Sequence, residues 1–293
     1  MSSVKNVNGN TEEKNRVVAG MLYLVATPIG NLGDLSERAV KVLSEVDFIA
    51  AEDTRNSMRL LSYLGISKPM VSYFEHNKRE RGEQIASMLE SGQSCALITD
   101  AGTPAISDPG EDMVALCAAR NIPVTSIPGP VASITALTLS GLPTGRFTFE
   151  GFLSTNKSER REHLASLEGE RRTMLFHEAP HKLKATLSDL CTAFGSDRRI
   201  ALCRELTKSH EEILRMTLGE AVAYHEENAP RGEYVLVVEG TKEANTDSAF
   251  WASLSIPQHV EHYVNLGMSK MDAIKQAARD RGVPKNEVYK EMV

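Results

Sequence analysis

The sequence predicts an α/β protein of two domains, a mostly parallel N-terminal sheet followed by a mixed second sheet, with a small helical unit at the C-terminus. Three observations predict it. Short apolar runs alternate with helical patterns through the first 133 residues, as βα units in series do. After Gly141 the strands change texture, alternating apolar and polar residues in Phe147-Thr148-Phe149-Glu150-Gly151-Phe152. From Asp247 onward, short helical patterns are punctuated by Gly267 and Gly282. The expected division is a disordered tail over residues 1–20, an N-terminal α/β domain over 21–133, a second α/β domain over 134–245 and a helical unit over 246–293.

Taken in order, residues 1–20 are too polar to offset the entropy of ordering. The first strand is Met21 to Ala26, broken by the Pro/Gly loop Thr27 to Leu35, after which Ser36 opens a helix carrying Ala39, Val40 and Leu43. Phe48 to Ala51 is a strand ending in Glu52-Asp53-Thr54-Arg55. The next helix places Met58, Leu61 and Leu64 on one face and stops at Gly65. Val71 to Phe74 leads into a polar loop, Glu75 to Arg81, and a helix is expected over Gln84 to Leu89. The strand Cys95 to Ile98, a helix around Met113 to Cys117, and the strand Val124 to Ile127 complete this half.

In the second half, a charged helix spans Lys157 to Leu167 and a strand runs from Thr173 to His177 into Glu178-Ala179-Pro180-His181. A helix with Leu183, Leu187 and Leu190 precedes the strand Ile200 to Glu205, and Tyr234 to Val238 is the last strand. The C-terminal pattern is a helix from Pro257 to Leu266, a second opened by an S-x-x-D capping box at Ser269 and Asp272, and a third after Gly282-Val283-Pro284. Tight glycine turns between such helices suit a helix-turn-helix or a packing element.

With 41% hydrophobic and 25% charged residues, the 293-residue chain can bury a sizeable core. No run approaches the ~20 apolar residues of a membrane helix. The N-terminus has neither an apolar core nor a cleavage pattern, so cytoplasmic residence is expected. Cys95, Cys117, Cys191 and Cys203 are widely spaced, with no C-x-x-C, and are expected to be reduced and buried. A formal charge of −6 gives no global attraction to nucleic acid, so an RNA substrate would need local basic surface.

The richest stretch runs from Cys95 to Gly110. Pro104 and Pro109 cannot continue a ladder or a helix, so the strand must open into a loop. Gly102 can take positive φ and admit a ligand to the backbone. Thr103 and Ser107 add hydroxyls, while Asp100 and Asp108 can accept hydrogen bonds from sugar hydroxyls or an ammonium. In an open α/β sheet the crevice beyond the strand carboxyl ends is where ligands bind. A rigid structural turn is the alternative.

The order and wording of the loops go further. Ala26-Thr27-Pro28-Ile29-Gly30-Asn31-Leu32-Gly33-Asp34, Ala51-Glu52-Asp53-Thr54-Arg55, Asp100 to Gly110 and Pro128-Gly129-Pro130, followed by Glu178-Ala179-Pro180-His181, Arg204-Glu205-Leu206-Thr207-Lys208 and Gly232-Glu233, resemble the 16S rRNA cytidine-2'-O-methyltransferases of the tetrapyrrole methylase superfamily. The resemblance covers nearly the whole chain beyond the tail. It implies a homodimer of two-domain α/β subunits that binds S-adenosylmethionine between the domains and acts on the small ribosomal subunit. The implied cofactor residues are Asp100, Gly102, Thr103, Ile106 and Ser107 in the central loop, and Gly129, Val131, Ala132 and Ser133 after the fifth strand. From the second domain come Phe176 or His177, Leu202 or Cys203, and Gly232. Two positions depart from the family pattern: serine is expected where Val131 stands and an aromatic where His177 stands.

Methyl transfer from a sulfonium to a ribose hydroxyl is an in-line displacement, so positioning supplies much of the rate and no metal is required. Removal of the hydroxyl proton needs a base. Candidates are Glu52 and Asp53, with Glu178 and His181 as alternatives; the Glu52-Asp53-Arg55 cluster also suits a loop ion-pair network. For RNA, Lys68, Lys78, Arg79 and Arg81 stand against Glu75 and Glu80, with Tyr73, Phe74 and His76 available for stacking. Residues 157–172 are closer to neutral and read as a solvated helix face. Residues 265–293 hold six basic side chains against four acidic ones, which favours a role in docking RNA. The competing readings are a methylase of a small tetrapyrrole-like substrate and a non-catalytic nucleotide-binding module.

Overall fold

The computed structural model describes residues 16–241, 251 and 253–292. Most of the expected tail, residues 1–15, and the expected boundary at 245/246 lie outside the described residues. The chain forms two compact units, Met1–Gly240 and Thr241–Val293.

The larger unit contains two five-stranded sheets. The first is built from β1 (Leu22–Val25), β2 (Phe48–Ala51), β3 (Met70–Ser72), β4 (Cys95–Ile98) and β5 (Val124–Ile127), in the order β3-β2-β4-β1-β5. Every pairing is parallel. Four helices lie between the strands: α1 (Glu37–Glu45), α2 (Thr54–Tyr63), α3 (Lys78–Glu90) and α4 (Gly110–Ala119). The central strands are apolar throughout because both faces are covered. Leu22, Leu24, Phe48, Ala50, Cys95 and Leu97 pack with Ile85, Leu89 and Met113 on one side. Tyr23, Val25, Ile49, Ala51, Ala96 and Ile98 pack with Val42, Leu43 and Leu61 on the other.

Helix α3 starts at Lys78, six residues before the expected Gln84. Its first turn is charged and Lys78 pairs with Glu75 and Asp112 at 2.8 and 2.9 Å, so no apolar signal marks it. Gly82 sits inside the helix, where an added Cβ would be in ordinary contact with Leu116 at 3.4 Å and Tyr73 at 3.7 Å.

Helix α5 (Ala132–Ser140) leaves β5 and packs on the second sheet, burying Ala136 and Leu137 against Leu175, Ala201, Cys203, Val235 and Val237. It thus spans residue 133, where the first domain was expected to end. The second sheet contains β6 (Phe147–Phe152), β7 (Thr173–Glu178), β8 (Arg199–Arg204), β9 (Glu212–Thr217) and β10 (Tyr234–Val238), in the order β6-β7-β10-β8-β9. β6 and β7 are parallel; the other pairings are antiparallel. Its outer face is covered by α6 (Lys157–Ser166), α7 (Pro180–Phe194) and α8 (Leu218–Glu227).

Strand β9 and helix α8 had no counterpart in the sequence reading. β9 is a half-buried edge strand with Arg215 in its middle, so it lacks an apolar run. The start of α8 was legible, since Thr217 and Glu220 form a reciprocal capping box. Cys191 is also only half-buried; the other three cysteines are buried and all four are free.

Among the described residues the smaller unit is a trio of helices, α9 (Ile256–Asn265), α10 (Lys270–Arg281) and α11 (Lys285–Lys290). They close on Val260, Ala273, Ile274, Ala277, Ala278 and Val288. The reciprocal capping box is at Ser255 and Gln258, opening α9. At Ser269 the hydroxyl accepts from the Asp272 N–H and donates to the Asp272 carboxylate, so only half of the expected box forms. Arg281 turns inward, donating to His259 Nδ1 at 3.1 Å and to the Trp251 carbonyl at 3.2 Å. Trp251 stacks on His259 at 5.4 Å.

Candidate active site

Three loops leave the carboxyl ends of β1, β4 and β5 and meet at one rim of the parallel sheet. The first two are joined: Thr27 N–H donates to Gly102 O at 2.9 Å and Gly102 N–H donates to Thr27 O at 3.1 Å. The Thr27 hydroxyl also donates to Thr99 O at 3.2 Å. The third loop is tied in by Thr103, whose hydroxyl donates to Pro130 O at 3.1 Å. Gly129 permits the approach, because a Cβ there would stand 2.7 Å from the Ala26 Cβ.

Gly102 has φ +86°, a left-handed value natural only to glycine. Ala105 and Ser107 also take positive φ, 69° and 62°, without being glycine. Asp108 holds them there: its carboxylate accepts from the N–H groups of Ala105, Ile106 and Gly110 at 3.0, 3.1 and 2.8 Å. Asp108 therefore braces the loop rather than offering its oxygens to a ligand. Backbone strain of this kind costs ~1–3 kcal/mol per residue and concentrates where a ligand is clamped.

Facing these loops, the second sheet closes a cleft of about 410 Å³. Its walls include Ile29, Ala101 and Ala132 from the first half and Phe152, His177, Cys203, Glu205, Lys208 and Glu233 from the second. Of the expected cofactor residues, Ala132, His177 and Cys203 line the cleft, with Gly102 and Thr103 beside it. Phe176 and Leu202 do not; both are fully buried on the opposite face of the sheet, in the core under α7. The two-residue period of a strand turns His177 and Cys203 toward the cleft and Phe176 and Leu202 away from it. Ser133 is buried at the first turn of α5, and Ile106 and Ser107 are exposed. Gly232, φ +75°, is shaped by a neighbour: a side chain there would meet Glu205 at 2.5 Å. Val131 occupies the N-cap of α5 with no side-chain cap, so the hydrogen bond a serine would supply is missing.

Sequence reasoning assigned no role to Phe152, Glu205, Lys208 or Glu233. Lys208 Nζ pairs with Glu205 at 2.9 Å and with Glu233 at 3.0 Å, and Glu205 also accepts from the Glu233 N–H. The Lys208 stem fills the space a Gly30 side chain would need, with Cγ 2.3 Å from that Cβ position. The Glu205-Leu206-Thr207-Lys208 wording was the available signal.

His177 is wedged edge-on between Phe149 and Phe152, at 5.1 and 5.4 Å. Its Nε2 is buried with no partner among the described residues. Burial pushes its pKa down, against a weaker upward pull from Glu233. Glu52, at the end of β2, has its pKa raised, first by burial and then by the charges of Asp100, Asp108 and Asp53. Asp53 caps α2, accepting from the Arg55 N–H at 2.8 Å and the Asn56 N–H at 3.4 Å. Asp100 is exposed and accepts a 3.4 Å bond from Asn56. No ion pair joins Arg55 to Glu52 or Asp53 among the described residues. Glu178 lines the cleft, but its carboxylate is engaged by the Thr186 hydroxyl and the Ala179 N–H; His181 is exposed. Tyr73 is withdrawn from any RNA face: it is buried and donates to Pro109 O at 2.9 Å, and its pKa is pushed up to about 12 by that burial.

The profile of the tetrapyrrole (corrin/porphyrin) methylases matches residues 21–222, which hold all of the first sheet and the second as far as β9. The chain belongs to this family. S-adenosylmethionine is the family's methyl donor. A relative from Halalkalibacterium halodurans, named ribosomal RNA small subunit methyltransferase I, is 49% identical over 92% of this chain and 93% of its own. Relatives of the same name from Synechocystis and Escherichia coli O157:H7 are 46% and 42% identical, each over 92% of this chain and 96% and 94% of their own. Among solved structures, a uroporphyrin-III-C-methyltransferase from Thermus thermophilus superposes with TM-score 0.54 at 18% identity, over 75% of this chain and 94% of that one. A diphthine synthase gives TM-score 0.58 at 14% identity, over 75% and 89%. These two share the fold.

Proposed function

We propose that this protein transfers a methyl group from S-adenosylmethionine to the ribose 2'-hydroxyl of a cytidine in 16S rRNA of the small ribosomal subunit. The observation that carries the reading is the printed name of its relatives, at 42–49% identity over 92% of the chain, all of them ribosomal RNA small subunit methyltransferases. The cytidine 2'-hydroxyl as acceptor rests on the wording of the loops Thr27 to Leu35 and Glu52 to Arg55. Work on ribosomes places the protein in the cytoplasm, and the family resemblance implies a homodimer.

The cleft suits the cofactor on three counts. Its 410 Å³ falls in the range of small-ligand sites. Gly102 presents bare backbone beside it. The unpartnered His177 Nε2 offers a polar group between the rings of Phe149 and Phe152. When bound, S-adenosylmethionine supplies an electrophilic methyl group. The chain supplies placement: Gly102, Thr103, Gly129 and Ala132 form the floor, while His177 and Cys203 form the roof. Glu52 accepts the hydroxyl proton, since a carboxyl raised above its ordinary value is a better base than an ordinary one. Asp53 is a positioning residue that fixes the start of α2 beside it.

Transfer of labelled methyl from S-adenosylmethionine to isolated small subunits, with the modified nucleotide mapped, tests the reading. Label on a cytidine that blocks alkaline cleavage at its 3' side is the expected result. Label on a base carbon or nitrogen, or on no RNA, would overturn it.

A further inference from the structure

We infer that the corner between α10 and α11 is a docking site for the phosphate backbone of RNA, centred on Lys275, Arg279 and Lys285. The inference rests on the rRNA reading above for the identity of the polyanion, and on the smaller unit alone for its geometry.

α10 ends at Gly282, φ +65°, and Val283-Pro284 turns the chain directly into α11. The tight turn leaves a groove of about 320 Å³, floored by Ala278, Gly282 and Val283 and walled by Lys275, Arg279 and Lys285. Among the described residues no acidic side chain lines it. Lys275 and Arg279 are four residues apart on one face of α10, and Lys285 opens α11 across the turn, so three cations converge on one concavity.

Their surroundings separate them from Arg281 and Asp280. Arg281 is spent internally on His259 and the carbonyls of Trp251 and Leu254. Asp280 is likewise held inside, by Tyr263 and Gln276. The unit therefore turns one cation and one carboxylate inward to hold its core and leaves these three cations outside. Arg279 and Lys285 have no ion-pair partner among the described residues. Lys275 has one, Asp272 at 3.0 Å, an exposed pair of the kind worth at most about 1 kcal/mol, which a phosphate can replace. A row of cations over a small-residue floor matches a phosphate backbone, because the floor lets the chain approach and the cations neutralise successive charges. Such contacts position an enzyme without reading bases. On a chain of net charge −6, this corner supplies local attraction that the whole lacks.

The test uses the full chain and a triple variant, Lys275→Gln/Arg279→Gln/Lys285→Gln, with Lys275→Arg/Arg279→Lys/Lys285→Arg as the charge-retaining control. Binding to small subunits is measured over a range of KCl concentrations, alongside S-adenosylmethionine affinity and methyl transfer at saturating subunits. Trp251, the one tryptophan of the chain, reports by fluorescence that the unit stays folded. The neutral variant is expected to bind subunits roughly tenfold more weakly at low salt, with a log–log salt slope shallower by about 2–3. Its cofactor affinity and saturated rate should match the wild type, and the charge-retaining control should restore the slope. A neutral variant with wild-type slope and affinity overturns the docking site while leaving the methylation reading intact. A wild-type protein that neither binds nor methylates subunits overturns both. Loss of binding in both variants, with normal Trp251 fluorescence, also overturns the inference, since charge would then not be what matters.

Discussion

The two sheets of the larger unit build opposite walls of one cleft by different means. In the first sheet all five strands run the same way, so every carboxyl end lies on one rim and the loops after β1, β2, β4 and β5 are delivered there together. In the second, β7 and β8 run alike but are separated by the reversed β10. Its contribution is thus the carboxyl ends of β7 and β8, with His177 and Cys203, and the amino end of β10, with Glu233. A parallel sheet collects its functional residues by topology. A mixed sheet collects them by register, so a single-residue slip in β7 would exchange His177 for Phe176.

The largest effect expected is on the parallel side. Gly102→Arg places a bulky side chain at a positive-φ position beside Ile29 and Pro130, where even a Cβ would lie 3.4 Å from Ile29. It should abolish S-adenosylmethionine binding by calorimetry while the protein stays folded. Wild-type affinity would remove the parallel rim from the cofactor site.

Next comes Glu52→Gln, expected to lower the methylation rate by ~10²–10⁴-fold with cofactor affinity unchanged. Stability moves the other way. A carboxyl raised above its ordinary value of 4.5 disfavours the fold when ionised, so its cost is fully present at neutral pH and fades as pH falls toward that value. The variant should therefore melt higher than wild type at pH 7–8, with the gain vanishing near pH 4. A lower melting temperature at neutral pH would show that Glu52 is a structural group.

The smallest effect belongs to the mixed side. His177→Phe keeps the aromatic wall and should leave cofactor binding within a few-fold. Burial lowers the His177 pKa, so the unfolded chain takes up a proton first, and stability present above the ordinary 6.5 is lost as pH falls below it. The phenylalanine variant should show a shallower decline in melting temperature between pH 7.5 and 5. Equal slopes would mean that His177 is not sheltered from solvent.

The same contrast explains what could be read in advance. The parallel sheet was legible because its doubly covered central strands are continuous apolar runs and β1, β4 and β5 each end in a Pro/Gly loop. Ser36 capping α1 and Gly65 ending α2 followed from local chemistry alone. The mixed sheet hid β9, since an edge strand needs no apolar run, and left Phe176 and His177 undecided, since a strand's facing is fixed only by its partners. Asp108 shows the limit for side chains. Its acceptor capacity was evident, but three N–H groups of its own loop consume that capacity, a closure no linear spacing displays. Glu205, Lys208 and Glu233 meet across 28 residues of chain, and their ion pairs are a product of that meeting.

The paired hydrogen bonds between Thr27 and Gly102 bear on how the cleft opens. β1 and β4 lie side by side at the centre of the parallel sheet, and this antiparallel bridge adds one more rung just past their ends. Any swing of the Gly102 loop would have to break a rung anchored to two strands that are buried along their whole length. The Gly102 loop is therefore held by the sheet itself, through backbone alone, whereas at Gly30 the second half meets the first through the flexible stem of Lys208.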